Sequence, residues 1–363
     1  MAFTYFLTGF PGFIGTRLIK KMVSEHPDAR FELLIHPSQL DKALQDVQQL
    51  VAQGYGQAEQ YMLLAGDITV PKLGLSTEKL HDLQEHVTHV FHLAAIYDLA
   101  VPYDFAHRVN VIGTGNVNEF VLALPYLQRY VYFSTAYVSG DRTGQIRETE
   151  LEAGQRFKNH YESTKYAAEV LVQKIRNRVP VTIIRPGIVM GDSRTGETVK
   201  FDGPYFMMRF LDRFEKFPIP AIGDGKARIN LVPVDYIVEA TFYLAHAETA
   251  ANQVYHLTDP SPYPASEVLD KISQELLGKK LSWNVPAGLI DAALAIGAFR
   301  RWVHVERETI AYFQCLAHYD SSNARRDLAE AGIRCPNLAD YLPHAIAFYK
   351  EHRHDADKRI PVR

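Results

Sequence analysis

Cysteine is scarce, with only Cys315 and Cys335 in 363 residues. Their spacing matches neither a metal-ligand pattern nor a disulfide framework, which argues against a zinc module or a stapled secreted domain and fits a reducing compartment. No metal site is expected, and the chain reads as cytoplasmic. A surplus of one charge sign is missing too: 39 basic residues against 42 acidic ones leave a formal net charge of -3. Without a basic excess or stripe, nucleic acid is not an expected partner. Long apolar runs are also lacking. The stretch at 1–15 has no basic leader and is interrupted by glycines, so a secretory signal fits poorly and the mature chain is expected to start at or near Met1. The segment VPAGLIDAALAIGAF, residues 285–299, is too short to span a bilayer and carries Asp291. A core helix and an interfacial helix both remain open for it, so no transmembrane span is expected, while peripheral membrane contact and a homodimer stay open.

What the chain does have is alternation. Short β-rich runs at 4–8, 31–35, 61–64, 88–93, 129–134 and 180–185 are separated by longer helical patterns, the signature of βαβ units and a parallel sheet buried on both faces. After residue 186 the pattern loosens. Residues 187–232 are rich in glycine, proline and aromatics, 252–257 reads as one more strand, and most of 262–352 reads helical. The expected fold is α/β, a Rossmann-type doubly wound parallel sheet with a smaller, mainly helical C-terminal substrate-binding part. Residues 1–186 form the first part and 187–363 the second, with 232–258 returning to the sheet.

The first strand runs directly into TGFPGFIG, residues 8–15, and then into a helical pattern. Gly9 permits a tight turn, Gly12 a close approach by a pyrophosphate, and Gly15 close packing of helix on strand, while the helix N-terminus offers N–H donors. Phe10, Phe13 and Ile14 fill the loop between them. The second strand ends in LLIHPSQ, which places His36 where dinucleotide enzymes carry an acid for a free ribose or a base for a 2′-phosphate. The missing acid favours NADP(H) and leaves NAD(H) open; a His36 that merely caps or packs is the plain alternative. Tyr161 and Lys165 stand four residues apart at the head of a helical stretch, on one face. Taken alone, a half-buried tyrosine beside a solvated lysine would explain them.

Together these residues resemble the extended short-chain dehydrogenase/reductases. GDIT at 66–69, with Asp67 and Ile68, is similar to the adenine-side loop, and HLAA at 92–95, with Leu93, Ala94 and Ala95, to the turn after the fourth strand. VNVIGT at 109–114 carries Asn110, FSTAYVSG at 133–140 the Ser/Thr position, and RPGI at 185–188 brings Pro186, Gly187 and Ile188 toward the cofactor. The resemblance implies that the Tyr161 hydroxyl exchanges a proton with the substrate oxygen, helped by the Lys165 ammonium, which favours the phenolate and also holds the nicotinamide ribose. It implies that Thr135, or Ser134 in the alternative register, hydrogen-bonds that oxygen. Asn110 would fix the helix and water linking Lys165 to solvent; local packing is its alternative.

Within that superfamily, RPGIVMGDSRTG at 185–196 and GDITVPKLGLS at 66–76 resemble the branch of fatty acyl-CoA reductases and thioester reductase domains. A polar surface turn is the other reading of 191–196. The aromatic stretch at 204–213 and the segment 286–313 favour an apolar, acyl or lipid-like small-molecule substrate, with Phe206 and Leu289 as candidate lining and Arg194, Lys200 and Arg228 as candidate phosphate contacts. Three other functions stay open: a lipid or sterol ketone/hydroxyl dehydrogenase, a nucleotide-sugar epimerase or dehydratase, and a dinucleotide-sensing binding protein.

Overall fold

In a computed structural model, residues 3–97, 101–222, 227–297 and 315–358 are described. Seven strands build one parallel sheet: β1 Thr4–Thr8, β2 Arg30–Ile35, β3 Tyr61–Ala65, β4 His89–His92, β5 Arg129–Phe133, β6 Val181–Pro186 and β7 Gln253–Leu257. Their spatial order is β7-β6-β5-β4-β1-β2-β3. All five residues of β1 and all six of β6 are buried, as strands covered by helices on both faces must be. Each fully buried Leu or Phe in such a layer contributes about 1.5–3 kcal/mol.

One layer holds the Phe13–Glu25 helix, which buries Leu18, Ile19, Met22 and Val23 in a cluster shared with Ile237 and Leu244 of the Val234–His246 helix. The opposite layer holds the Gly113–Leu122 and His160–Gln173 helices, whose Val117, Val121, Ala168 and Val172 pack under Tyr130 and Ile183 of the sheet. Chain order reverses between β1, which pairs with β2, and β4, which lies on its other side. The crevice beyond the carboxyl ends of those strands is where open α/β sheets bind ligands.

A second apolar cluster forms between the Tyr205–Arg213, Ala265–Leu277 and Leu338–His352 helices, through Phe206, Met208, Leu211, Leu269, Ile272, Tyr341 and Ile346. It closes over the crevice. Three short parallel ladders that the sequence pattern does not announce tie it down: Leu231–Pro233 on Ile188–Met190, Trp283–Val285 on Pro220–Ile222, and Ala317–Tyr319 on Gly144–Ile146. Three residues each are too few to show a period of two.

The 285–299 segment forms a helix over Ala287–Ala295. Leu289 is 63% exposed, so its expected place in the lining is incorrect by one position: Ile290 and Leu294 turn inward instead. Residues 298–314, the rest of the apolar stretch expected near the substrate, lie outside the described residues. Among the described residues no helix is long and apolar enough to cross a membrane.

Candidate active site

The glycine loop is built for backbone approach. Gly9 has φ +93°, a left-handed value that favours glycine, and a Cβ there would lie 2.8 Å from the Ala94 nitrogen. At Gly12 a Cβ would stand 2.5 Å from the Gly9 carbonyl oxygen. Gly12 then opens the Phe13–Glu25 helix without any side-chain cap and without an acidic residue in its first turn. Free N–H donors and an uncompensated positive helix end are what a pyrophosphate needs, so these residues fit a dinucleotide. His92, buried on β4, links the Thr8 hydroxyl (2.7 Å) to the Thr114 hydroxyl (3.0 Å). Thr8 in turn accepts from the Ala94 N–H at 3.2 Å, which clamps the glycine loop to the Leu93–Ala95 turn.

One cavity of about 460 Å³ runs from this loop into the second cluster. Gly9, Gly12, Phe13, Ile14 and Gly15 border it on one side, and Leu93, Ala94, Ala95, Pro186, Gly187 and Ile188 on the next. Thr135, Tyr161 and Lys165 stand at its middle. Beyond them the wall is formed by Phe206, Met207, Phe210, Leu269, Ile290 and Leu294.

Tyr161 lies in the first turn of the His160–Gln173 helix, which Asn159 caps by accepting the Glu162 N–H at 2.9 Å. Burial pushes its phenol well above the usual value, a hydrogen bond from Thr135 opposes that, and the Glu162 charge adds to it. Lys165, one turn on, sends its ammonium to the Phe133 carbonyl at 2.5 Å and over the Tyr132 ring. Burial pulls Lys165 down to about 7 against the Glu169 charge. Burial is the largest influence on the Tyr161 phenol, ahead of Thr135 and Glu162.

Of the two hydroxyls after β5, the Ser134 Oγ donates to Glu169 Oε2, and that carboxylate is locked to Arg185 at 2.6 Å with both side chains buried. Arg185 also donates to the Glu150 carbonyl at 2.9 Å. Ser134 is engaged there, and Thr135 is the hydroxyl at the phenol. Asn110 sits in a π-helical turn, His107–Ile112, which aims its side chain inward. Its Oδ1 accepts from the Ile96 N–H at 2.9 Å and its Nδ2 donates to Thr164 at 3.0 Å, so it pins the Tyr161 helix to the loop after β4.

Four cofactor candidates stand outside the cavity lining. Phe10 is buried in the β1-side core, and Ile68 is buried against Gly113. His36 caps the Pro37–Gln39 turn by accepting the Ser38 N–H, with Asp67 4.0 Å away. Asp67 itself accepts from the Thr69 N–H at 2.8 Å. Of the candidate phosphate contacts, Arg228 donates to the Pro262 carbonyl at 2.6 Å, and Arg194 and Lys200 are exposed. Sequence reasoning missed Tyr97, whose ring meets Tyr161 edge-on at 5.3 Å, and Asp202 in the cavity wall. It also missed Lys42, whose ammonium reaches the Pro11 carbonyl of the glycine loop at 3.2 Å. None of the three belongs to a motif, and only the folded chain brings them to the cleft. Among the described residues no cluster of three or more metal-ligating side chains exists.

A doubly wound parallel sheet, a glycine-lined helix start at its switch point and a tyrosine and lysine on one helical face mark the NAD(P)-binding fold of the extended short-chain dehydrogenase/reductase superfamily. The chain belongs to the male sterility protein family, whose sequence profile matches residues 7–241. A linear gramicidin synthase of Brevibacillus parabrevis is 26% identical over 92% of this chain, and the L-2-aminoadipate reductase large subunit of Eremothecium gossypii is 29% identical over 64% of it. The alignments take up only 7% and 18% of those two much longer proteins. The terminal R domain from the myxalamid PKS-NRPS biosynthetic pathway superposes with a TM-score of 0.82 at 25% identity, covering 99% of this chain and 93% of that one.

Proposed function

We propose that this chain reduces a fatty-acyl thioester, or the aldehyde derived from it, using NADP(H). The observation that carries the reading is the continuity of the cavity: a glycine-bordered cleft passes Tyr161 and opens directly into a wall of Phe206, Met207, Phe210, Ile290 and Leu294. Such a chamber suits an acyl chain; a sugar diphosphate would want basic and polar lining. The bound dinucleotide would supply a hydride to the carbonyl carbon. Tyr161, its proton held by burial, donates that proton to the carbonyl oxygen, and Thr135 orients the phenol. An aldehyde becomes the alcohol, whereas a thioester becomes a hemithioacetal whose C–S bond breaks to give the aldehyde and the free thiol, which takes the hydroxyl proton. Lys165, lowered by burial to about 7, holds the end of β5 and would hold the cofactor ribose. Asn110 keeps the helix bearing both residues in place. For cofactor choice, Lys42 and the exposed His36 offer a phosphate two nitrogen-bearing side chains near the end of β2.

Oxidation of NADPH and NADH, followed spectrophotometrically against acyl-CoA, aldehyde and ketone panels, tests this. Turnover of acyl-CoA or long aldehydes with NADPH is expected. Turnover confined to ketones, or to nucleotide sugars in the same assay, would contradict it.

A further inference from the structure

Among the described residues, the substrate side of the cavity carries one carboxylate. Asp202 stands half-buried in a mostly apolar wall, with Phe206, Met207, Phe210 and Leu294 around it and Thr198 and Tyr97 among its other polar members. Its carboxylate accepts a hydrogen bond from its own backbone N–H, with Lys200 and Arg209 as cations acting on it. The loop it belongs to abuts the reaction centre: a Cβ at Gly203 would lie 4.0 Å from the Tyr97 hydroxyl, and the Tyr97 ring meets the Tyr161 ring at 5.3 Å. A charged group in an apolar wall is costly to cover unless a donor meets it.

We propose that Asp202 is a specificity-determining residue that selects acyl chains bearing a hydrogen-bond donor, a hydroxyl or an amine, over plain alkyl and carboxylate-ended chains. The proposal rests on the reading of the cavity as an acyl chamber. Burial raises the carboxyl to about 6, so it is largely ionised at neutral pH and can accept from either donor. A plain methylene chain laid across it would remove its water and return nothing. A carboxylate-ended chain would add repulsion.

The test is calorimetric and needs no turnover. In saturating NADP⁺, with a parallel run in NAD⁺, the native protein is titrated with four six-carbon product-type alcohols: hexan-1-ol, hexane-1,3-diol, 6-aminohexan-1-ol and 6-hydroxyhexanoate. The diol or the amino alcohol should bind about tenfold or more tighter than hexanol, the strength expected of a hydrogen bond to a charged group. Which of the two does so tells hydroxyl from amine, and hydroxyhexanoate should bind weakest. Asp202→Asn should abolish a preference for the amine and shrink one for the diol several-fold, while Asp202→Leu should make hexanol the tightest ligand. Binding of all four alcohols without donor preference overturns this proposal alone, as does an order that survives Asp202→Leu. If that variant melts early, an unchanged amine-to-hexanol and diol-to-hexanol ratio in Asp202→Asn overturns it instead. Failure of every alcohol to bind rejects the acyl-chamber reading and this proposal with it.

Discussion

On the dinucleotide side the cleft is shaped by backbone, through Gly9, Gly12 and an uncapped helix start; on the substrate side it is shaped by side chains drawn from residues 198–210, 229, 269 and 290–294. Backbone shape tolerates no added atom, because nothing in a tight loop can move aside. Side-chain shape tolerates exchange, because volume can be repacked. The first half therefore fixes what cofactor class binds, and the second is free to vary the substrate.

The sharpest break between chemistry and shape is Tyr161→Phe. It removes the proton donor and little volume, so turnover should fall by roughly 10²–10⁴-fold with dinucleotide affinity retained, as read by steady-state kinetics beside a binding titration. Unchanged turnover would take Tyr161 out of its role. The backbone half is tested by Gly12→Ala, whose Cβ would stand 2.5 Å from the Gly9 oxygen. Dinucleotide affinity should drop by about tenfold or more, against the small change expected of a Gly→Ala exchange at an unstrained site. The side-chain half should respond selectively: Ile290→Asp weakens turnover of long chains more than short ones, whereas Leu289→Asp, on the 63% exposed side, leaves the profile in place. Equal effects at both positions would mean that this helix does not line the chamber.

Away from the cleft, His89 and His246 pack on each other beneath the sheet, with rings 4.9 Å apart, and burial lowers them to about 3 and about 4. Their folded values lie below the ordinary one near 6.5. The unfolded chain takes up the protons first, so stability is full above that value and is lost as pH falls through it toward 4. Melting temperature should therefore decline over that window in the native protein and less in His89→Phe, with cofactor affinity at neutral pH alike in both. The smallest effect is reserved for cofactor choice: Lys42→Glu should narrow an NADPH preference a few-fold, through charge alone, and equal effects on NADPH and NADH binding would show that Lys42 does not face the 2′-phosphate.

The same contrast explains what could be read in the sequence. The βαβ alternation, TGFPGFIG and the Tyr161–Lys165 pair are local, and each is set by neighbours within a few residues. The strand expected at 4–8 is Thr4–Thr8, and the one expected at 252–257 is Gln253–Leu257, paired with β6. The substrate wall is not local. Ile290 and Leu294 face it because of the rotation of one helix, which apolar content alone left one residue out, at Leu289. Asn110 owes its inward aim to a π-helical turn that no periodicity signals. Lys165 finds the Phe133 carbonyl and Tyr97 finds Tyr161 only across the fold.

The central claim, that Tyr161 stands at the mouth of an acyl chamber, is tested most directly by kcat/KM for NADPH-dependent reduction of straight-chain acyl thioesters of increasing length. The specificity constant should climb by about fourfold for each added methylene, the equivalent of about 0.8 kcal/mol of buried CH₂, and then level off when the chamber is full. A flat profile in a protein that melts normally and binds NADPH would contradict it.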